Sequence, residues 1–365
     1  MKSKVQLTCK NGALMKFWNE TLKSMDEYMP GEQPRDIDEY IKLNTNENPF
    51  PPSEKVLRAI NEAVNSSLRR YPDSQCIRLR ETFAEQNGLT PENVFVGNGS
   101  DEIFTLIFRG LIEKNGTAAF NYPSYSLYDT LAQSNAIKYE KINLDSSFSP
   151  DMDKFIVNRY SMVIIANPNN PTGTFIDSGK IEKFLKAYSG LLVVDEAYVD
   201  FYGGSALDLV KRYDNLVVTR SFSKSYSLAG LRIGLAIANS DIIRGLVKIK
   251  DSYNIDTLAQ AGATAALLDK KTFDYNINML RSNKEYLEER LDDMGFERVP
   301  SRANFLLARH PKIGSGELYE KLKEQKILVR HFRGPVISDY VRISVGTMME
   351  LKKTCTVLGS ILEGV

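Results

Sequence analysis

Between about residue 90 and residue 240 the chain repeats one pattern, a short β-branched apolar run followed by an amphipathic segment. The runs fall at 94–96, 118–120, 162–166, 191–194, 216–218 and 233–238. Consecutive apolar residues leave no polar face for water, so such strands need cover on both sides. The pattern predicts central strands of a parallel sheet between layers of helix, an α/β architecture. It also predicts where function sits, because such sheets bind ligands beyond the carboxyl ends of their strands.

The flanks differ. Residues 1–40 are polar, with scattered aromatics (Phe17, Trp18, Tyr28) and a turn signal at Met29-Pro30-Gly31, and predict an arm with one short helix. Asn44-Thr-Asn-Glu-Asn-Pro-Phe-Pro-Pro52 reads as a loop. Ser53 then holds an N-cap position before Val56, Leu57, Ile60, Ala63 and Val64 at helical spacing. From 241 to 295 the pattern is mostly helical, and Arg281, Lys284, Glu285, Glu288, Glu289 and Arg290 read as a solvated face. Beyond Gly295, strands at 304–308, 327–330 and 340–345 and a helix at about 315–326 predict a smaller α+β domain. The expected division is an arm (1–40), a large domain (41–270) and a small domain (271–365).

Composition narrows the function. The 47 Lys and Arg against 46 Asp and Glu leave a net charge of +1, without the basic surplus of a nucleic-acid or anionic-membrane binder. No apolar run approaches the roughly 18 residues of a membrane span, and the opening MKSKVQLTCKNG lacks a signal peptide's apolar core. Cys9, Cys76 and Cys355 stand far apart, which argues against a disulfide framework or a cysteine zinc site and fits a reducing cytoplasm. With only His310 and His331 present, a histidine-ligated metal is not expected, and both read as surface or packing residues. Chemistry must come from Lys, Asp, Tyr, Arg and a bound cofactor.

Four segments stand at predicted strand ends. The first run leads into Gly97-Asn-Gly99-Ser100-Asp101 and a helix with Ile103, Phe104, Leu106, Ile107 and Leu111 on its apolar face. Glu102 takes the third-glycine position of a dinucleotide fingerprint, so that function is unsupported. The glycines and the unpaired N–H groups of a first helical turn still suit phosphate, although a plain capped helix gives the same pattern. In Ser221-Phe-Ser223-Lys224-Ser225, with Arg232 eight residues after the lysine, an amine nucleophile is joined to phosphate recognition. Burial or a neighbouring cation would depress the pKa of that amine and let it form a Schiff base. Asp195, in Val194-Asp195-Glu196-Ala197-Tyr198, follows four apolar residues and is costly to bury unless it meets a cation. Asn167-Pro-Asn-Asn170-Pro171-Thr-Gly173 is a tight loop in which Asn170 offers both a donor and an acceptor. A strand-ending turn would look the same in the last two cases.

In this order the four segments resemble the fold type I pyridoxal-phosphate enzymes, and specifically the histidinol-phosphate aminotransferase family. The resemblance runs from Tyr28-Met-Pro-Gly31 to Tyr340-Val-Arg-Ile-Ser-Val-Gly-Thr347. It departs only at Phe222, Ser225 and Tyr226, which flank Lys224 without replacing a cofactor ligand. It implies a mostly parallel mixed sheet in a large domain, a small α+β domain, and pyridoxal 5′-phosphate as cofactor. Lys224 would hold the cofactor and move a substrate proton, Asp195 would pair with the pyridine nitrogen, and Tyr198 and Asn170 would bond its 3′ oxygen. Tyr125 would stack on the ring. The backbone at Gly99, Ser100 and Asp101, with Ser221, Ser223 and Arg232, would hold its phosphate. Tyr71 would reach the neighbouring subunit's cofactor phosphate, making a homodimer with shared active sites, unless its Tyr-Pro turn packs locally.

For the substrate, strand alternation puts Val341, Ile343 and Val345 on one face and Arg342 with Ser344 on the other. Facing away from the core, Arg342 suits bidentate carboxylate binding, the task the resemblance assigns it. It assigns Arg330 to the substrate's distal phosphate, Tyr28 to closing over the substrate, and Asn46 to its vicinity. The implied reaction passes an amino group from L-histidinol phosphate to 2-oxoglutarate, a small-molecule donor and a 2-oxo acid, in cytoplasmic histidine biosynthesis. Aromatic-amino-acid transamination and decarboxylation of a phosphorylated amino acid would use the same cofactor residues. A regulator's effector-sensing domain is not expected, because the arm leaves no room for a basic DNA-binding domain.

Overall fold

The computed structural model describes residues 16–25 and 31–364. Tyr28 lies outside the described residues. The centre of the chain is a seven-stranded sheet of β1 (Val94–Asn98), β2 (Thr117–Tyr122), β3 (Lys138–Asn143), β4 (Met162–Ala166), β5 (Leu191–Asp195), β6 (Leu216–Ser221) and β7 (Ile233–Ile237). Their order across the sheet is β1-β7-β6-β5-β4-β2-β3. Successive residues feed opposite faces. Val163, Ile165, Val194 and Val218 pack with Leu79, Phe83 and Phe184, whereas Ile164, Val193 and Val217 pack with Phe104, Phe108 and Tyr128. This two-sided burial is why the strands read as unbroken apolar runs.

One strand expectation needs correction and one strand was missed. The run 233–238 is not one more parallel strand, because β7 lies antiparallel to both β1 and β6 while the other pairs are parallel. The segment 222–232 between β6 and β7 holds only the short 3-10 turn Ala229–Leu231. That is too little chain for the crossover of a dozen or more residues that a parallel return requires. The missed strand is β3, which has no apolar run. It is an edge strand of sequence KYEKIN in which only Ile142 is buried, and its lysines guard an open edge.

A second sheet holds β8 (Glu297–Arg298), β9 (Phe305–Arg309), β10 (Arg330–His331) and β11 (Val341–Ser344), in the order β10-β11-β9-β8 and antiparallel throughout. Phe305, Leu306, Val341 and Ile343 pack with Ile277, Leu287, Leu318, Leu351 and Leu358 from the surrounding helices. The run 327–330, expected as one strand, divides between two sheets. Ile327–Leu328 pairs in parallel with Ile41–Lys42, and Arg330–His331 turns to join β11. The side chain of Ser53 caps the helix Glu54–Ala63, as its position predicts.

The charged face of the helix Lys270–Asp293 is not wholly solvated. Lys284 is only 3% exposed. Its amine donates to the Ser301 carbonyl (2.6 Å) and the Tyr202 hydroxyl (3.1 Å) and pairs with Glu288 (3.1 Å). With its three donors taken, the charge can be buried. No helix among the described residues is long and apolar enough to cross a membrane.

Candidate active site

Strands β4, β5 and β6 end together, and β7 begins beside them, so one edge of the sheet collects Asn167, Asp195, Ser221 and Arg232. Above this edge lies a cleft of about 290 Å³. It is lined by the sequence-predicted residues Asn46, Ser100, Asp101, Tyr125, Asn170, Asp195, Tyr198, Ser221, Ser223, Lys224, Arg232, Arg330 and Arg342. Tyr71 is absent from it. That residue is 79% exposed and stacks on Tyr253 at 4.3 Å. His310 and His331 are not among the lining residues, and each meets a backbone carbonyl elsewhere, that of Met294 and of Ser338.

At one end the helix Gly99–Gly110 points its first turn into the cleft beside Ser100 and Asp101. Gly99 has a φ of +73°, and a Cβ there would stand 2.6 Å from the Arg232 guanidinium. A Cβ on Gly234 would meet the backbone of Gly99 and Ser100 at 2.5 Å. Only glycine lets these backbones approach, and the space kept open is bordered by N–H donors, hydroxyls and a guanidinium. Arg232 donates to Asp101 (2.9 Å) and to the Ser223 hydroxyl (3.4 Å), and the Tyr125 hydroxyl donates to Asp101 (3.2 Å). The set fits a phosphate.

In the middle, the Lys224 amine donates to the Thr45 carbonyl at 2.8 Å. Burial and then the nearby Arg342 charge pull its pKa down from 10.5 to about 8, against an opposing pull from Glu47. The loop that carries it is anchored from below. Ser225 donates to Asp200 (2.6 Å), Asp200 pairs with Arg220, and Arg220 pairs with the buried Glu196 (3.0 Å). Asp195 is buried at the end of β5. It accepts from the Tyr128 hydroxyl (2.6 Å), the Thr219 hydroxyl (3.1 Å) and the Ala197 amide (3.2 Å). Burial raises its carboxyl pKa, and the Tyr128 and Thr219 bonds act against that rise. The sequence reading did not find Tyr128 or Thr219. The helical spacing of Tyr128, three residues after Tyr125, is the signal that could have found it.

The far wall belongs to the small sheet. Arg330 and Arg342 are directly paired across β10 and β11. Facing pairs have Cβ atoms about 4.5–5.5 Å apart, and like charges so placed repel unless an anion joins them. Arg342 donates to the Asn44 carbonyl (2.7 Å) and to the Asn170 side-chain oxygen. Asn46, with a φ of +56°, donates to the Tyr198 hydroxyl (3.0 Å) and accepts from Ser344 (2.9 Å), tying the loop 44–48 to both sheets. An anion cradle, a low-pKa amine, a buried carboxylate, an aromatic face and a paired-arginine wall thus share one cleft.

The sequence model of aminotransferase class I and II matches residues 38–358. The chain belongs to this family. Histidinol-phosphate aminotransferase of Pseudomonas putida is 43% identical over 338 residues, 92% of this chain and 97% of the relative. That of Citrifermentans bemidjiense is 42% identical over 347 residues, 94% and 98%. Among solved structures, the Sinorhizobium meliloti histidinol-phosphate aminotransferase in complex with pyridoxal-5′-phosphate superposes with a TM-score of 0.87 at 22% identity, covering 96% of this chain and 98% of that one. A Thermus thermophilus aspartate aminotransferase gives 0.80 at 20% identity, covering 95% and 100%. The fold of this aminotransferase is therefore fold type I, as its sequence predicts.

Proposed function

We propose that this aminotransferase moves the amino group of L-histidinol phosphate to 2-oxoglutarate, giving imidazole-acetol phosphate and L-glutamate in cytoplasmic histidine biosynthesis. The observation that carries the substrate reading is the register pair Arg330–Arg342 on the cleft wall. Histidinol phosphate is an amino alcohol phosphate and has no carboxylate. The carboxylate that Arg342 suits therefore belongs to the 2-oxo acid, and with the donor the arginine pair meets the phosphate instead.

Pyridoxal 5′-phosphate supplies an electron sink for negative charge at the substrate carbon that bears the amine. In this reading the protein does the rest. The backbone at Gly99, Ser100 and Asp101, with Ser221, Ser223 and Arg232, holds the cofactor phosphate, and Asp195 pairs with the protonated pyridine nitrogen. Tyr125 covers one ring face, while Tyr198 and Asn170 hydrogen-bond the 3′ oxygen. Lys224 holds the cofactor and carries the proton to and from the substrate carbon. The large domain (41–270) is the cofactor domain, closed by the small domain (271–365) and by the arm (1–40), whose Glu32 meets Lys323 (2.7 Å) and Tyr319 (2.7 Å). Tyr71, exposed on a surface that also shows Leu68 and Ile77, serves the partner subunit's cofactor phosphate in a homodimer.

The test is a panel of half-reactions. The loaded enzyme converts to its pyridoxamine phosphate form with histidinol phosphate faster than with phenylalanine, without release of carbon dioxide from phosphothreonine. Arg330→Ala is expected to slow histidinol phosphate about 100-fold, the loss of a charge-assisted phosphate contact, and phenylalanine far less. Equal losses would remove Arg330 from the phosphate role. The L-threonine-O-3-phosphate decarboxylase of Porphyromonas gingivalis shares the fold (TM-score 0.77, 24% identity), and carbon dioxide release would favour that chemistry.

The amine of Lys224 also sets a pH dependence. Only its neutral form captures the cofactor carbonyl, and its pKa lies near 8. Capture of pyridoxal phosphate by the cofactor-free protein is expected to quicken with pH and level off above about 8. A rise that continues towards the ordinary lysine value of 10.5 would show that the cleft does not depress this amine.

A further inference from the structure

Asp195 occupies one floor position of the cleft, and its surroundings specify more than a carboxylate. An ionised carboxylate offers about four acceptor sites. Here Oδ1 takes the Thr219 hydroxyl and the Ala197 amide, and Oδ2 takes the Tyr128 hydroxyl. Room remains for one more donor, and the cleft is where it must come from, because Asp195 lines it.

Tyr128 is 0% exposed and lies in the first turn of the helix Leu127–Ser134. Its ring packs against Phe104 (5.1 Å), Phe120 (5.7 Å) and, edge to face, Tyr125 (5.7 Å). The aromatic box fixes the ring, so the hydroxyl is held towards Oδ2 at 2.6 Å with no solvent competing for it. Phenylalanine would fill the box equally well. A tyrosine there adds only the hydroxyl, which would be costly to bury without a partner. Burial and the Asp195 charge both push its pKa far above the ordinary value, so the phenol stays a donor at any working pH.

We propose that Tyr128 is a positioning residue for the cofactor's ring nitrogen, acting through Asp195. Its hydrogen bond fixes the carboxylate rotamer and lowers the proton affinity of Oδ2. The proton shared between Asp195 and the ring nitrogen then stays on the nitrogen, where it makes the ring a better electron sink. One short segment therefore serves the ring twice, with Tyr125 at its face and Tyr128 behind its nitrogen's partner. The proposal rests on the reading that pyridoxal phosphate binds with its nitrogen at Asp195.

The experiment is nitrogen-15 NMR of the holoenzyme loaded with pyridoxal phosphate labelled at the ring nitrogen, in wild type and Tyr128→Phe. In the wild type the resonance is expected at the protonated-pyridine position. In Tyr128→Phe it moves towards the neutral-pyridine position, and the affinity for pyridoxal phosphate falls about tenfold, the scale of one hydrogen bond to a charged group. A folded Tyr128→Phe protein with an unmoved resonance overturns the proposal, while the cofactor reading stands. A wild type with a neutral ring nitrogen or no bound cofactor overturns that reading itself. If Tyr128→Phe does not fold, difluorotyrosine placed at 128 keeps the ring and makes a stronger donor. It must then raise the pH at which the resonance crosses to the neutral-pyridine position, and an unchanged midpoint counts against the proposal.

Discussion

Replacing Lys224 by alanine is expected to lower the rate of amino transfer at least about a thousandfold, the scale on which a positioned proton carrier acts. The amine is the cleft's central basic group, fixed on the Thr45 carbonyl and tuned to a pKa of about 8 by burial and by Arg342. Among the described residues no other lysine lines the cleft, so none of their amines takes over the proton at the substrate carbon. The cofactor does not leave altogether, because Ser100, Ser221, Ser223 and Arg232 of the cleft, with Gly99 behind Arg232, are untouched. What disappears is its covalent attachment. Borohydride reduction followed by peptide mass mapping should mark Lys224 in the wild type and nothing in the variant. A Lys224→Ala enzyme that turns over within tenfold of the wild type would end the proposed mechanism.

The second large effect is at Asp195. Asp195→Asn keeps the size of the side chain but removes the charge that, in the proposed function, pairs with the ring nitrogen. Loss of such a preorganised electrostatic contact is expected to cost about 100- to 1,000-fold in kcat. Stability should move the other way. Burial raises the carboxyl pKa of Asp195, so in the cofactor-free protein the folded state binds a proton more tightly than the unfolded chain does. Stability then falls as pH rises through the interval between the unfolded and folded pKa values, and above it the full cost of the buried charge remains. The asparagine variant escapes this cost. Cofactor-free Asp195→Asn should therefore melt at or above the wild-type temperature at neutral pH, while the holo variant gains less from added pyridoxal phosphate. A variant that is both active and less stable would contradict the assignment on both counts.

How much of this was legible in the sequence depends on distance along the chain. The anion cradle was legible because Gly97, Gly99 and Ser100 are neighbours at a strand-to-helix turn. The same holds for Lys224 and Arg232, which share the short connection between β6 and β7. Arg342 was legible from strand alternation alone, and β11 does present it to the cleft beside Ser344's contact with Asn46. The readings that failed depended on partners. Strand β3, missed for want of an apolar run, is polar because no described strand pairs with its outer edge, and Lys284 looked solvated because Ser301, which covers it, lies 17 residues further on. Tyr128 was not found, since its hydroxyl matters only beside Asp195, 67 residues away.

The sequence by itself determined the class of fold, the family resemblance and the local chemistry of each strand end, because side-chain period, glycine turns and residue spacing act over a few residues. The tertiary structure decided which of those pieces meet. It set the direction of β7, paired Arg330 with Arg342 and placed the Tyr128 hydroxyl on Asp195. Those are choices of strand order and register. A one-residue slip in register would turn every such side chain to the opposite face, so only the assembled sheets fix them.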